Sequence, residues 1–151
     1  MNVFSEDYKD IVGKEIEVVV SDSPNRGDFY VELNNNRPEL RTEGYYMEIG
    51  DFVKVEANEA EAVFLSTRTI LQILKQNGTT IPKGITRDYP LSDIRGFMLD
   101  VGRKPTSLDF LYDIMKLMSW YKMNDFQVHL NDNYIFLEEY TAAGEDPMQA
   151  Y

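Results

Sequence analysis

Residues 96–130 hold an apolar run, a helix signature and a second strand pattern, and two strands joined through a helix lie parallel. Gly96–Val101 (GFMLDV) is almost wholly apolar, the composition of a strand buried on both faces. Pro105 precedes Thr106, and Thr106 with Asp109 three residues on is a capping box. Leu108, Leu111, Met115 and Met118, widened by Ile114, Leu117 and Tyr121, make an apolar stripe to about Met123. Phe126–Leu130 (FQVHL) follows as the second strand. Two parallel strands by themselves leave apolar faces and edges open, because parallel strands occur in larger covered sheets. This half therefore reads as the opening of a longer array.

The first half has a different rhythm. Glu15–Val20 (EIEVVV) is rich in β-branched residues and predicts a strand. Ser21–Asp28 combines Pro, Asn, Gly and Asp, which is turn chemistry. Phe29–Leu33 (FYVEL) alternates as a further strand, and Asn34–Pro38 is a loop. Tyr45–Ile49 and Phe52–Ala57 around Gly50-Asp51 predict a hairpin, with Met47, Ile49, Val53 and Val55 on the buried side. Asn58 with Glu61 predicts a helix start. Val63, Thr67, Ile70, Leu71 and Leu74 share one face, and Gly78 ends the helix. Ile81–Ser92, with two prolines and a glycine, is a connector. The expected architecture is an α+β domain over residues 1–90, an antiparallel sheet with a helix laid on it, then a βαβ unit over 91–151. The segment after Tyr140 is small and polar and reads as a frayed tail.

Charge narrows the partners. With 15 Lys+Arg against 26 Asp+Glu the formal charge is −11. Nucleic acid and anionic lipid both demand a basic face, so neither is an expected partner. There is no cysteine, which removes disulfides, thiolate metal sites and a thiol nucleophile. One histidine and scattered carboxylates give no ligand spacing, so no metal and no cofactor is expected. No stretch approaches the ~20 apolar residues of a membrane span. Met1–Lys9 lacks a basic region followed by an apolar run, so no signal peptide is read and the compartment stays open. Neither a glycine-rich phosphate loop nor a Gly-x-Ser-x-Gly elbow occurs.

In parallel α/β arrays, functional side chains gather at the C-terminal strand ends. The first strand ends near Asp100 and Arg103, the second near His129, Asn131, Asp132 and Asn133. A guanidinium fork beside carboxylate and imidazole can hold sugar hydroxyls. The same residues also fit plainer roles: a strand-end ion pair for Asp100 and Arg103, a hydrogen-bonded structural His129, and turn chemistry for Asp132.

The segments Arg95–Arg103 (RGFMLDVGR) and Met118–Asn133 (MSWYKMNDFQVHLNDN) resemble family 20 glycoside hydrolases, the β-N-acetylhexosaminidases and lacto-N-biosidases. The resemblance implies that the first segment is strand one of a (β/α)8 TIM barrel. The second, ending His129-Leu130-Asn131-Asp132, would be strand two and its loop. By position, Arg103 matches the arginine that holds the terminal sugar's hydroxyls, Asp132 an active-site carboxylate, and His129 its neighbour; Arg95 and Asp100 match structural positions. Lys104, Gln127-Val128 and Asn133 depart from the common pattern and imply a divergent bacterial branch. The family uses substrate-assisted retaining hydrolysis. The 2-acetamido oxygen attacks the anomeric carbon, an Asp orients it, and an adjacent Glu is acid and then base.

No Asp-Glu dipeptide occurs here, and Glu138-Glu139 and Glu145-Asp146 lie too close after the second strand. A barrel takes ~250 residues, so Arg95–Tyr151 accommodates about two of eight strands. The expectation is a truncated family 20 enzyme, inactive by itself. Its parent would remove β-linked N-acetylhexosamine or lacto-N-biose from glycans and be secreted or cell-surface. The open strand edge predicts a homodimer. The alternative is a stand-alone interaction module, or a carbohydrate-binding module no tighter than millimolar, about −4 kcal/mol.

Overall fold

The computed structural model describes residues 2–102, 104 and 106–130. In chain order these form α1 (Asn2–Val12), β1 (Phe29–Leu33), a 3-10 turn (Pro38–Leu40), β2 (Tyr45–Ile49), β3 (Val53–Ala57), α2 (Ala60–Asn77), β4 (Gly84–Asp88), β5 (Gly96–Asp100), α3 (Leu108–Trp120) and β6 (Asp125–His129). The first four strands make one sheet in the order β1-β3-β2-β4, and β5 and β6 make a second sheet.

Alternation builds the first layer. Tyr45 and Met47 on β2, and Val53, Val55 and Ala57 on β3, are buried in one cluster with Ala62, Val63, Leu65, Ile70, Leu71 and Leu74 of α2. The expected hairpin and its buried face are present. Its loop runs through Gly50, Asp51 and Phe52, one residue longer than expected, because Ile49 pairs with Val53. The helix ends at Gly78 with φ 69°, where a residue without Cβ is favoured. Its start departs from the capping box. Glu59 is the N-cap and makes no side-chain cap, while Asn58 Nδ2 is used to donate to the Arg37 and Arg41 carbonyls.

Four elements differ from expectation. Glu15–Val20 forms no strand, and Val18, Val19 and Val20 are exposed. β-branched residues make a strand only against a partner, and the ladder partner of β1 is β3. The sheet is mixed rather than antiparallel: β1 runs parallel to β3, with Phe29 opposite Val53 and Leu33 opposite Ala57. β4 arises within the expected connector and pairs antiparallel with β2. The helix α1 also escaped the reading. Phe4, Tyr8, Ile11 and Val12 sit at helical spacing and pack on the core, with Phe4, Tyr8 and Phe29 in edge-to-face contact at 5.4–6.1 Å.

In the second unit the strand–helix–strand order holds and β5 and β6 are parallel, Gly96 opposite Asp125 through Asp100 opposite His129. The α3 N-cap is Ser107 rather than Thr106, its side chain accepting from the Phe110 N–H at 3.2 Å. The helix stops at Trp120, short of Met123, and Lys122 has φ 57°. The expectation that β5 is buried on both faces fails among the described residues: Phe97 is 40% and Met98 57% exposed. Of the α3 stripe only Met118 is buried. The described residues of this unit supply almost no core of their own.

Candidate functional site

The C-terminal ends of β5 and β6 form one rim. Asp100 and His129 close their strands directly opposite each other, and the Val101 N–H donates to the His129 carbonyl at 2.9 Å. Asp100 Oδ1 accepts from the Gly102 N–H at 3.0 Å, so this carboxylate shapes the turn out of β5. His129 is partly buried. Arg103 and Asp132, the other two expected sugar contacts, lie outside the described residues, as does the expected tail. Among the described residues no three His, Asp or Glu side chains come together as a metal would require.

At the opposite end of these strands is a polar seam that sequence reasoning did not foresee. Lys122 Nζ donates to Thr69 Oγ1 at 2.6 Å, Asp88 Oδ2 at 2.6 Å and Tyr45 Oη at 2.9 Å, which uses all three of its N–H groups. The left-handed turn at Lys122 aims the ammonium back at α2, β2 and β4. Tyr45 is almost fully buried and donates to Asp88 at 2.7 Å. Burial drives the Tyr45 phenol well above its usual range, with Thr69 opposing and Asp88 reinforcing. Burial would raise the Asp88 carboxyl too, but the bonds from Lys122 and Tyr45 outweigh it and hold it below the ordinary value.

Beside this cluster, Arg95 Nε donates to the Lys122 carbonyl at 2.7 Å, and its terminal nitrogen pairs with Glu43. Asn124 Nδ2 donates to the other Glu43 oxygen at 3.1 Å. Further along, Arg68, 4% exposed, donates to Asp7 at 2.5 Å and reaches Ser119 at 3.5 Å. Gln72 donates to the Trp120 carbonyl at 2.7 Å. A cavity of about 200 Å3 lined by Tyr45, Asp88, Tyr89, Arg95, Tyr121 and Lys122 lies along the seam. Its charged groups are paired to one another, so it reads as part of the joint. The one sequence signal for the seam was Arg95, which the resemblance had marked as structural.

Comparison with known proteins decides the family. The profile described as glycosyl hydrolase family 20, domain 2, matches residues 2–89, and that of the family's catalytic domain matches residues 93–142. The chain belongs to glycosyl hydrolase family 20. Within the family it is 30% identical over 132 residues to the N,N'-diacetylchitobiase of Vibrio harveyi, covering 85% of this chain and 14% of that protein. To a β-hexosaminidase of Porphyromonas gingivalis it is 26% identical over 128 residues, covering 78% of this chain and 16% of that one. The family 20 exo-β-N-acetylglucosaminidase of Vibrio harveyi, solved with N-acetylglucosamine, superposes with a TM-score of 0.71 at 26% identity, over 85% of this chain and 20% of that one. The Streptomyces plicatus N-acetyl-β-hexosaminidase gives 0.75 at 23% identity, over 87% and 27%, which establishes a shared fold. The chain thus spans about one seventh of the length of the first two relatives.

Proposed function

We propose that these residues belong to a glycoside hydrolase that removes β-linked N-acetylhexosamine, or lacto-N-biose, from glycans by substrate-assisted retaining hydrolysis. In this reading residues 1–90 are the non-catalytic α+β domain and 91–151 the opening of the (β/α)8 barrel. The rim formed by β5 and β6 carries the proposal: Asp100 faces His129 at the C-terminal strand ends, inside the segment that matches the family's catalytic domain. Arg103, three residues after Asp100, would grip the sugar's hydroxyls through its guanidinium fork, and Asp132 and His129 would hold the far side. No cofactor enters this chemistry, since the substrate's own acetamide supplies the nucleophile.

The carboxylate pair that orients the acetamide and delivers the proton is an Asp-Glu dipeptide, and the 151 residues contain none. Alone, they are expected not to release nitrophenol from 4-nitrophenyl N-acetyl-β-glucosaminide above an Arg103→Ala control. The longest reading frame containing them, expressed whole, is expected to hydrolyse that substrate. Arg103→Ala in that whole protein should cost about 10²-fold or more in kcat/KM, or ~3 kcal/mol of transition-state binding. A whole protein without this activity, or an active 151-residue chain, overturns the respective half of the proposal.

The uncovered apolar side chains of the second unit support a further part of the reading. Phe97, Met98, Leu117 and Tyr121 are 40–66% exposed, and an open strand edge with apolar neighbours is a template for pairing. We expect the isolated chain to form a homodimer through β5 and β6. Sedimentation velocity over a concentration series checks this, and a monomer at every concentration refutes it.

A further inference from the structure

Among the described residues, burial does little to fix the parallel register of β5 and β6. Register is set where one face of a strand is buried, or where a tight turn joins the partners. Here Phe97, Met98 and Gln127 are exposed, Leu99, Phe126 and Val128 are only half-buried, and the two strands are joined through a whole helix. The stacked pair Phe97–Phe126, at 6.2 Å, locks one rung from within. A slip of one residue would turn each side chain to the other face and place Leu99 or Val101 opposite His129.

A second constraint lies at the foot of the strands. Arg95 immediately precedes β5, and Asn124 immediately precedes β6. These two residues are tied by reciprocal bonds: the Arg95 N–H donates to Asn124 Oδ1 at 2.9 Å, and the Asn124 N–H donates to the Arg95 carbonyl at 3.1 Å. Both then meet one carboxylate from the other unit. Glu43 takes the Arg95 guanidinium on Oε2 and the Asn124 amide on Oε1. Its side chain is 13% exposed and that of Arg95 19%, so water competes little for the bond between these two. Glu43 is itself held in place, since the next residue, Gly44, closes the turn by donating to the Leu40 carbonyl at 2.9 Å, and Tyr45 begins β2 in the core.

We propose that Glu43 is a positioning residue for the rim. It clamps Arg95 and Asn124 together against the first sheet and thereby sets the register that brings Asp100 opposite His129. Five residue steps separate foot from rim, about 16 Å along the strands, so Glu43 acts through the strands and touches nothing at the rim. The non-catalytic unit thus does more than precede the barrel segment: it supplies the reference against which the first two strands are aligned. The clamp concerns the geometry of the rim and holds whichever sugar the rim takes, so its failure and failure of the glycosidase reading are told apart.

His129 is the only histidine, so its ring Hε1 gives a single proton NMR signal that reports on the rim alone. In the full chain, Glu43→Ala is expected to shift or split that signal. It should also speed exchange of the Val101 amide, which bonds the His129 carbonyl, by about tenfold, while amides of β2 and β3 keep their protection. Glu43→Gln keeps an acceptor for Asn124 and is expected to restore most of both properties. An unchanged His129 signal and unchanged Val101 exchange in Glu43→Ala overturn the proposal. So does equal loss of protection in β2 and β3, which marks general unfolding, and so does a Glu43→Gln variant no better than Glu43→Ala.

Discussion

Leu71→Ala is expected to lower the free energy of unfolding by about 3 kcal/mol. Leu71 is wholly buried on the core face of α2, in the same cluster as Tyr45, Met47 and Val55. Shortening it removes transfer free energy and leaves a void that a sheet on one side and a helix on the other cannot close. Domains of this size are stable by only about 5–15 kcal/mol, so the loss is a large share of the total. Urea unfolding followed by tryptophan fluorescence measures it through Trp120, which packs on the same core. A change below about 1 kcal/mol would mean that the helix and sheet re-pack freely, against the close fit described here.

Gly44→Ala should cost a similar amount, about 3 kcal/mol, by the opposite route of overpacking. A methyl group at this position would stand 2.1 Å from the Leu40 carbonyl oxygen and 3.0 Å from Tyr89 Cβ. The first of these is backbone, fixed by the bond it accepts from the Gly44 N–H, so no side-chain rotation relieves the clash. The chain must move, and the residues that move with it are Glu43 and Tyr45, each of which makes bonds across the seam. Gly50→Ala is the matched control, because nothing lies within 4 Å of a Cβ there, and its effect should stay within about 0.5 kcal/mol. Thermal unfolding of both variants decides the matter: equal melting temperatures would show that the turn at Gly44 is soft.

The two units divide the work of folding unequally. The first has a closed core between α2 and its sheet, flanked by α1. The second buries one residue of α3 and leaves its other described apolar side chains half-buried or exposed, so apart from Trp120, which packs on the first core, much of its attachment is polar. Lys122 and Arg95 each bring a cation to carboxylates or hydroxyls of the first unit, and Arg68 of the first unit reaches Ser119 of α3. Such pairs specify geometry well, because a cation removed from water tolerates few alternative partners. That suits a joint whose role is alignment.

Local pattern was enough for several parts of this protein. The 45–57 hairpin, the α2 stripe from Val63 to Leu74, the glycine after it, and the parallel strand–helix–strand order are all written in spacings of two or 3.6 residues, and the structure bears each of them out. The family, too, was legible in Arg95–Arg103 and Met118–Asn133, and the profiles confirm it. Where the pattern misled, the cause was a missing partner or an unweighed one. Glu15–Val20 has the composition of a strand and no ladder to join. Gly84–Asp88 is interrupted by none of its own chemistry and becomes a strand because β2 offers an open edge. The Phe4, Tyr8, Ile11 stripe of α1 was present in the sequence at helical spacing, so that helix could have been read.

The sequence by itself determined the helices, the hairpin and the family, because those depend on neighbours within a few positions or on a motif read in order. Tertiary structure alone decided that β1 lies parallel beside β3, and that Lys122 reaches Tyr45, Thr69 and Asp88. It alone decided that Glu43 meets Arg95 and Asn124. Those contacts join residues tens of positions apart, and a single charged or polar residue carries no period from which its distant partner can be inferred. Only the packing of the two units, which removes these groups from water together, selects the pairs.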